Sequence, residues 1–419
     1  MLTFEELYAQ VVKNSVGALT KDPFDRLKLG DYDPYHLECL LHPEKLAPVV
    51  AITQCPCDEQ QIETCLKGCV FNALERDEQG NIIVSAAKCT GCGACLNECK
   101  LGKLVERKDV YPVIDSLVPP RSEVYALLAP AASGQFGRDA TMGRLRGALK
   151  RLGFTGVIEV ALFADILTLK EALEFDQNIL ERDDFILTSC CCPVWLAMIK
   201  RLYSTLVGHI PPSVSPMVGA GRAVKILHPK AKTVFIGPCL AKKAEAKEAD
   251  IADAIDYVLT FHELRDIFEA AGIVVSECSD DERDHCSRSG RIYGRSGGVS
   301  EAVHTTLDWL RPERSIHVDS HHVSGIAQCR TLLERLKQHD IPANFIEGMG
   351  CSGGCVGGPR AILPVEDGRL ELDRYGDEAI RQTPMESQAV RDMLEALGFS
   401  TVESLLEHDR IFTRTMGIA

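Results

Sequence analysis

Short apolar runs alternate along most of the chain with longer segments in which apolar residues recur every three or four positions. Runs of strand length lie at Val124–Leu128, Val157–Leu162, Thr233–Ile236, Tyr257–Phe261 and Asn344–Ile346. Segments with helical periodicity, such as Ile166–Leu180 and Glu263–Ala271, fall between these runs. Strands that alternate with helices in this way predict an α/β fold with largely parallel sheets.

The first quarter of the chain has a different pattern. Phe4–Leu19 predicts a helix, and a polar stretch follows it to about Pro48. The next residues, to about Lys108, are small and rich in cysteine, with a turn at 77–81 before a short apolar strand, Ile82–Val84. We therefore expect a helical segment over residues 1–48, a small α+β domain over 49–108 and a large α/β domain over 109–419.

Length and composition exclude several classes of protein. At 419 residues the chain exceeds one ordinary core, and its 45% apolar and 25% charged content is typical of a globular protein. No apolar run approaches the ~20 residues of a membrane helix. The start of the chain is acidic and lacks the basic-then-apolar order of a signal peptide, which favours the cytoplasm. A net charge of −14 argues against nucleic acid as a partner.

The chain has 18 cysteines, and in a cytoplasmic protein such cysteines usually bind metal or carry out chemistry. Eight of them form two sets before residue 100: Cys55-x-Cys57-x7-Cys65-x3-Cys69 and Cys89-x2-Cys92-x2-Cys95-x3-Cys99. Zinc fits any C-x2-C pair, but the second spacing suits a four-iron cubane better. Cys278 and Cys286 flank an acidic loop and are interpreted as free surface thiols.

The two upstream sets resemble a bacterial ferredoxin with two [4Fe-4S] clusters. In that family the first three cysteines of a set bind one cluster and the fourth binds the other. The resemblance implies one cluster on Cys89, Cys92, Cys95 and Cys69, and a second on Cys55, Cys57, Cys65 and Cys99. The first set departs from the regular spacing, and neither fourth cysteine precedes proline, so the type of the second cluster stays open.

Three further cysteine motifs follow in the large domain. They are Thr188-Ser189-Cys190-Cys191-Cys192-Pro193, Gly237-Pro238-Cys239-x2-Lys242-x2-Glu245 and Glu347-Gly348-Met349-Gly350-Cys351-x3-Cys355. Cys192 and Cys239 come after apolar strands, and ligand sites in α/β sheets gather at the carboxyl ends of strands. In this order the motifs resemble the three signature motifs of the [FeFe]-hydrogenases.

That resemblance implies an H-cluster, a four-iron cubane joined through a thiolate to a two-iron unit with CO, cyanide and azadithiolate ligands. The cubane would be held by Cys192, Cys239, Cys351 and Cys355, with Cys355 bridging to the two-iron unit. Lys242 would donate a charge-assisted hydrogen bond to cyanide. The residues expected around the two-iron unit are Met349, Tyr293, Ala129, Pro130, Ser215 and Pro216.

The same resemblance assigns a proton relay. Counting back from Pro193 makes Cys191 the relay thiol and leaves Cys190 as an extra cysteine. Glu171 and Glu174 lie 20 and 17 residues before Cys191, as the two relay glutamates of the family do. They are one turn apart on the predicted helix and share a face. The alternative is that both are solvated glutamates on a helix surface.

Several positions depart from the commoner enzymes of the family. Gly237 stands in place of methionine, Ala131 in place of serine and Met217 in place of glutamine. Pro211 stands where the relay serine is expected, with Ser213 as a possible substitute. Each change thins the polar surroundings that tune a metal centre. Together with the triple cysteine, they resemble the divergent branches of the family, including sensory ones.

The leading hypothesis is an enzyme that interconverts H2 with protons and electrons. Its expected partners are ferredoxin or another soluble electron carrier, and the hydrogenase maturation proteins. A hydrogen or redox sensor with the same H-cluster is a second hypothesis. A third is an iron–sulfur assembly protein that lacks the two-iron unit. Lys242, Met349, Glu171 and Glu174 count against the third hypothesis, because a bare cubane needs none of them.

Overall fold

The computed structural model describes residues 1–17, 30–117, 122–188, 191–281, 283–407 and 410–417. The cysteine-rich part before residue 109 contains two antiparallel strand pairs, in which β1 (Val49–Ala51) pairs with β4 (Leu104–Glu106), and β2 (Leu74–Arg76) with β3 (Ile82–Val84). The helices α3 (Glu59–Gly68) and α4 (Ala94–Glu98) belong to this part, and α1 (Phe4–Gly17) and α2 (Pro34–Leu41) precede it in the N-terminal segment. The β1–β4 pair joins the two ends of the cysteine-rich segment, and the small α+β unit predicted from the sequence is confirmed.

Two parallel sheets form the large domain, as the alternation of strands and helices predicted. One sheet has the spatial order β6 (Gly156–Glu159), β5 (Val124–Leu128), β8 (Lys232–Gly237) and β9 (Tyr257–Thr260). The other has the order β10 (Ser320–Ser324), β11 (Phe345–Met349) and β7 (Ile186–Leu187). Both sheets contain apolar strands covered by helices, which is the usual setting of parallel strands.

The helices of the large domain lie around these sheets. In chain order they are α5 (Val110–Leu117), α6 (Met142–Arg151), α7 (Ala161–Asn178), α8 (Pro193–Leu202), α9 (Pro216–Leu227), α10 (Lys242–Glu245), α11 (Phe261–Ala271), α12 (Arg288–Arg291), α13 (Gly298–Leu310), α14 (Ile326–Lys337), α15 (Val365–Asp377) and α16 (Gln388–Ala396). The helix α7 is central, since it packs against α9, α12 and α13. None of the helices in the described part of the chain has the length and apolar character needed to cross a membrane.

The boundary between β6 and α7 is where the sequence prediction was wrong. Val157–Leu162 was expected to be a strand, but β6 ends at Glu159 and α7 begins at Ala161. Residues 161–175 of α7 are all buried. A helix that is buried on every side lacks the apolar periodicity that would separate it from a buried strand, so the pattern could not place the boundary.

The following strand and helix show how a local signal does fix a boundary. The strand β9 ends at Thr260, one residue earlier than predicted, because the Thr260 side chain caps α11. The Thr260 hydroxyl accepts a hydrogen bond from Glu263 N, and the Glu263 carboxylate accepts one from Thr260 N, at 3.2 and 2.7 Å. This reciprocal capping box stops the strand and starts the helix.

Candidate metal centre

Four cysteines, which we call the cysteine quartet, meet where strands of the two sheets end: Cys192, Cys239, Cys351 and Cys355. Cys192 follows β7 and precedes the first residue of α8, Cys239 follows β8, and the other two follow β11. Their side chains are partly buried. The structure thus brings together residues separated by up to 163 positions, at the edge of the fold where α/β proteins place ligands.

The thiols of the quartet affect one another electrostatically. Burial raises the pKa of Cys192 to about 12, and the neighbouring Cys191 and Cys239 thiols add to the shift. Burial and the other members of the quartet raise the pKa of Cys351 well above its usual range. Thiolates so close repel each other unless a cation lies between them. The donor set therefore fits an iron–sulfur cluster, whose iron atoms supply that positive charge.

Glycine fixes the loop that carries the last two cysteines. Gly354 has a φ of +94°, and a Cβ there would lie 2.6 Å from Ser296 N and 2.9 Å from Met349 Sδ. Neither the backbone nor the space around it accepts a side chain. Gly350 N donates a hydrogen bond of 3.2 Å to Cys192 Sγ, which ties this loop to the first cysteine motif.

A mainly apolar cavity lies beside the quartet. Cys239 and Cys355 open onto it together with the relay candidate Cys191. Its other lining residues are Ala129, Pro130, Ala131, Val160, Ala164, Pro216, Met217, Phe235, Pro238, Lys242, Tyr293 and Gly294. Lys242 is the one charged side chain among these described residues. The cavity therefore suits a ligand that is mostly uncharged at its surface but has an anionic group near Lys242.

The ammonium of Lys242 remains charged despite its burial. Its side chain is 8% exposed, and Nζ lies 2.6 Å from Glu245 Oε2. Burial alone would lower the pKa of Lys242, but the Glu245 carboxylate and the Cys239 thiol raise it above its usual value. A charged donor in apolar surroundings binds an anionic acceptor strongly.

The residues expected around the two-iron unit differ in their placement. Ala129, Pro130 and Pro216 line the cavity. The Ser215 hydroxyl instead caps α9, where it accepts a hydrogen bond of 3.4 Å from Val218 N. The remaining two residues, Tyr293 and Met349, belong to one apolar cluster, against which Cys191 packs. Tyr293 also lines the cavity, and its hydroxyl oxygen is 2.8 Å from Thr168 Oγ1.

The two candidate relay glutamates are buried inside the domain. Glu171 and Glu174 lie on α7 and are 2% and 4% exposed, so the interpretation as solvated surface glutamates is wrong. Ser213 Oγ donates to Glu174, at 2.8 Å from Oε1 and 3.1 Å from Oε2. Ser213 is held in place by a β-bridge to Thr413. Cys191 packs against the apolar cluster that contains three α7 side chains, those of Ala164, Ala172 and Phe175, so the thiol borders the helix that carries both carboxylates.

The extra cysteine, Cys190, lies outside the described residues. Of the other two isolated thiols considered above, Cys278 is partly buried. Cys286 is 1% exposed, and burial raises its pKa, so its interpretation as a surface thiol is wrong. The acidic residues around Cys286 suggested exposure, but its side chain packs into the core beside Glu159.

The eight upstream cysteines form two interleaved groups. The thiols of Cys89, Cys92 and Cys95 lie close to Cys69, and those of Cys57 and Cys65 close to Cys55 and Cys99. We call the first four the inner group and the second four the outer group. Cys92 packs in the same apolar cluster as Cys192 and Cys239, so the inner group borders the quartet.

Among the described residues, no group of three or more His, Cys, Asp or Glu side chains is arranged to hold a single metal ion.

Sequence reasoning missed two residues at the site. Phe235 lines the cavity, and a Cβ on Gly237 would lie 2.7 Å from its Cε1 atom. Phe235 and Gly237 are two positions apart on β8, so they face the same side of the sheet. This spacing was the signal available in the sequence. Lys170 forms a buried ion pair with Glu174, four residues later on α7. The spacing of four residues between a lysine and a glutamate on a predicted helix was the signal in that case.

Comparison with known proteins identifies the class. Residues 122–359, more than half of the chain, match the family described as iron only hydrogenase large subunit, C-terminal domain. The chain therefore belongs to this family, whose hydrogenases contain an iron–sulfur H-cluster. The [FeFe]-hydrogenase HydA1 from Chlamydomonas reinhardtii has a similar fold, with a TM-score of 0.56 and 21% identity over 72% of this chain and 96% of that one.

Two curated relatives represent different kinds of protein. Iron hydrogenase 1 of Clostridium pasteurianum is 29% identical over 303 residues, which cover 61% of this chain and 53% of that protein. Cytosolic iron-sulfur assembly component 3 of Bos taurus is 22% identical over 379 residues, which cover 74% and 79% of the two chains. The match covers 57% of the NADP-reducing hydrogenase subunit HndD of Solidesulfovibrio fructosivorans, so the chain spans about half the length of these two hydrogenases.

Proposed function

We propose that this protein catalyses the reversible oxidation of H2 to protons and electrons at an H-cluster. The observation that carries the proposal is the cationic Lys242 in an apolar cavity onto which Cys191 and Cys355 open. A cyanide-bearing two-iron unit would use such a charge as a hydrogen-bond donor, whereas a bare cubane would not.

The cysteine quartet would hold the cubane, with Cys355 as the bridge to the two-iron unit. When bound, the H-cluster supplies the iron at which H2 is split. Phe235, Met217 and Tyr293 form apolar walls that exclude water from this position. Exclusion of water strengthens the electrostatic interaction between Lys242 and its ligand.

Protons would leave or enter the cavity through Cys191 Sγ and the side chains beside α7. Glu171 and Glu174 provide carboxylates, and Ser213 contacts both oxygens of Glu174. A hydroxyl both donates and accepts, so it can pass a proton on without becoming charged. Ser213 would thus replace the serine that the sequence lacks at Pro211.

Electrons would pass through [4Fe-4S] clusters held by the inner and outer groups. The inner group borders the quartet, so it is placed to exchange electrons with the cubane. The outer group lies beyond it in the small α+β unit, where a soluble carrier such as ferredoxin would deliver or accept electrons. We also propose that the protein acts in the cytoplasm.

A second function, iron–sulfur assembly without a two-iron unit, is favoured by two observations. The match to cytosolic iron-sulfur assembly component 3 covers 79% of that protein, against 53% for iron hydrogenase 1. In addition, Phe235 occupies space beside Gly237 at the cavity wall. Both functions share the quartet, so the test must address the two-iron unit.

Infrared spectroscopy of the anaerobic, cluster-loaded protein supplied with the two-iron cofactor makes this test. We expect sharp CO and cyanide stretches that shift under H2, and H2 turnover with a soluble electron carrier. Lys242→Met should shift the cyanide bands or abolish cofactor retention. Lys200→Met is the matched control, because Lys200 is on α8 with its Nζ 4.0 Å from Glu248 and is absent from the cavity lining.

Absence of these bands, in a protein whose iron–sulfur absorbance is intact, would favour the assembly function. The bands without turnover would leave the H-cluster established and the catalytic role refuted. A hydrogenase of known activity treated in parallel shows that the cofactor supplied was competent.

A further inference from the structure

A buried ion pair links Lys170 to the proton path. Lys170 and Glu174 have side chains that are 3% and 5% exposed, and Lys170 Nζ lies 2.7 Å from Glu174 Oε1. They are four residues apart on α7, so the helix itself aligns them. The Ser213 hydroxyl donates to the same carboxylate. Glu174 thus accepts hydrogen bonds from an ammonium and from a hydroxyl while remaining shielded from water.

Charged groups on the neighbouring elements are engaged elsewhere. Those on α9, α12, α13 and β6 form the pairs Arg222–Asp253, Lys225–Asp256, Arg288–Glu301, Arg291–Asp284, His304–Asp308 and Arg146–Glu159. In the last part of the described chain, Glu403 pairs with Arg311, and Glu386 accepts a hydrogen bond from Thr383 N. Arg391 and Asp392 form hydrogen bonds with the Gln388 side chain. On α7 itself, Asp165 accepts a hydrogen bond from Ser287 N, and Asp176 pairs with Arg314. Glu171 is the carboxylate next to Lys170 in sequence. Among the described residues, the ion pair of Lys170 is with Glu174.

We propose that Lys170 is a positioning residue that holds Glu174 ionised and oriented towards Ser213, and thereby slows proton passage through Glu174. The effect on proton passage rests on the proposed hydrogenase function, but the protonation of Glu174 can be measured whether or not that function is correct.

The physical reason is the cost of protonating a paired carboxylate. A proton that passes along the path resides briefly on Glu174, and the resulting neutral acid no longer attracts the ammonium. Without Lys170, burial would favour the protonated acid, as it does for isolated buried glutamates. Each tenfold change in the proton affinity of Glu174 moves its titration by one pH unit.

Infrared difference spectroscopy of the cluster-loaded protein measures the protonated carboxyl band of Glu174 directly. Glu174→Gln assigns the band by removing it. In the native sequence we expect no such band at neutral pH. In Lys170→Met we expect the band to appear there, with a titration midpoint at least one pH unit higher. Lys170→Arg, which keeps the charge, should restore the native titration.

A matched control is Lys225→Met, which removes a lysine that also lies 2.7 Å from a carboxylate, that of Asp256, but on α9. It should leave the Glu174 titration unchanged. With the two-iron cofactor bound, Lys170→Met should also extend proton-reduction activity to higher pH by a similar shift.

A protonated Glu174 at neutral pH in the native sequence would overturn the proposal, even if Lys170→Met does not fold. An unchanged midpoint in Lys170→Met would do the same. Failure of the two-iron cofactor to bind would refute the proposed function alone, because the Glu174 band is read in the cluster-loaded protein in either case.

Discussion

Lys243 is predicted to be structural, although it adjoins the candidate cofactor ligand Lys242 in sequence. Its side chain is fully buried, and Nζ lies 2.9 Å from both carboxylate oxygens of Glu263. Nζ also donates to Arg107 O at 2.6 Å and lies 3.8 Å from Asp109 Oδ1. These contacts join the end of the small α+β unit to α10 and α11.

We predict that Lys243→Met lowers the free energy of unfolding by about 3 kcal/mol, at the lower end of the range for breaking a buried ion pair. The low end applies because part of the network survives. Glu263 still accepts hydrogen bonds from Asp109 N and Thr260 N, both at 2.7 Å. Arg107 still pairs with Asp109 at 2.7 and 2.9 Å. Adding Glu263→Gln removes the uncompensated charge and should recover about 1 kcal/mol.

Thermal unfolding of the anaerobic, cluster-loaded protein provides the assay. A metal-cluster protein of this size does not unfold in two states, so midpoints are compared between variants and not converted to absolute stabilities. Lys45→Met is the control, because Lys45 pairs with Glu38 at 3.2 Å with both side chains more than half exposed. An exposed pair contributes no more than about 1 kcal/mol. If Lys243→Met shifts the midpoint as little as Lys45→Met, the assignment of a structural ion pair is wrong.

Three further predictions concern the surroundings of the site. Partial desolvation of the exposed Lys247 side chain and the positive charge of Arg107 lower the pKa of Lys247 to about 8. Native stability should therefore rise slightly as the pH goes from about 8 to 10, and Lys247→Met should lose that rise; parallel midpoints in both proteins would contradict this. In Gly237→Met the new side chain would clash with Phe235, destabilise the protein by about 1–3 kcal/mol and weaken the CO bands. Adding Phe235→Leu to this variant should relieve both effects. Ser213→Ala should slow proton-coupled H2 turnover by roughly tenfold or more without altering the CO bands, and unchanged turnover would remove Ser213 from the path.

The apolar pattern predicted most of the architecture because most strands of the two sheets are buried, whereas the polar, partly exposed strand β10 gave no such signal. Val124–Leu128 has the predicted bounds, and the small α+β unit lies where the cysteine-rich segment indicated it. The error at Val157–Leu162 has one cause, since residues on every side of α7 are buried. The same uniform burial is what encloses Glu171 and Glu174, and no periodicity in the sequence could show it.

Pairings over long distances could not be read from the sequence. The network around Lys243 depends on Glu263, 20 residues later, and on Arg107, 136 residues earlier. Cysteine spacing indicated clusters, but the interleaving of the inner and outer groups came from family resemblance. The contact between Ser213 and Glu174 likewise depends on the C-terminal segment, where Thr413 forms the bridge that places Ser213.

The departures from the commoner enzymes affect the cavity walls and the proton path, and they leave the quartet intact. The quartet is set by the ends of β7, β8 and β11, which parallel pairing fixes. At the walls, the absence of a side chain at Gly237 is balanced by Phe235, so the cavity changes shape without losing its apolar character. A protein altered in this way would keep an H-cluster but tune its access and proton supply. Under the proposed function such a protein would be a slow or regulated hydrogenase, and the CO and cyanide bands are the observation that separates it from an iron–sulfur assembly protein.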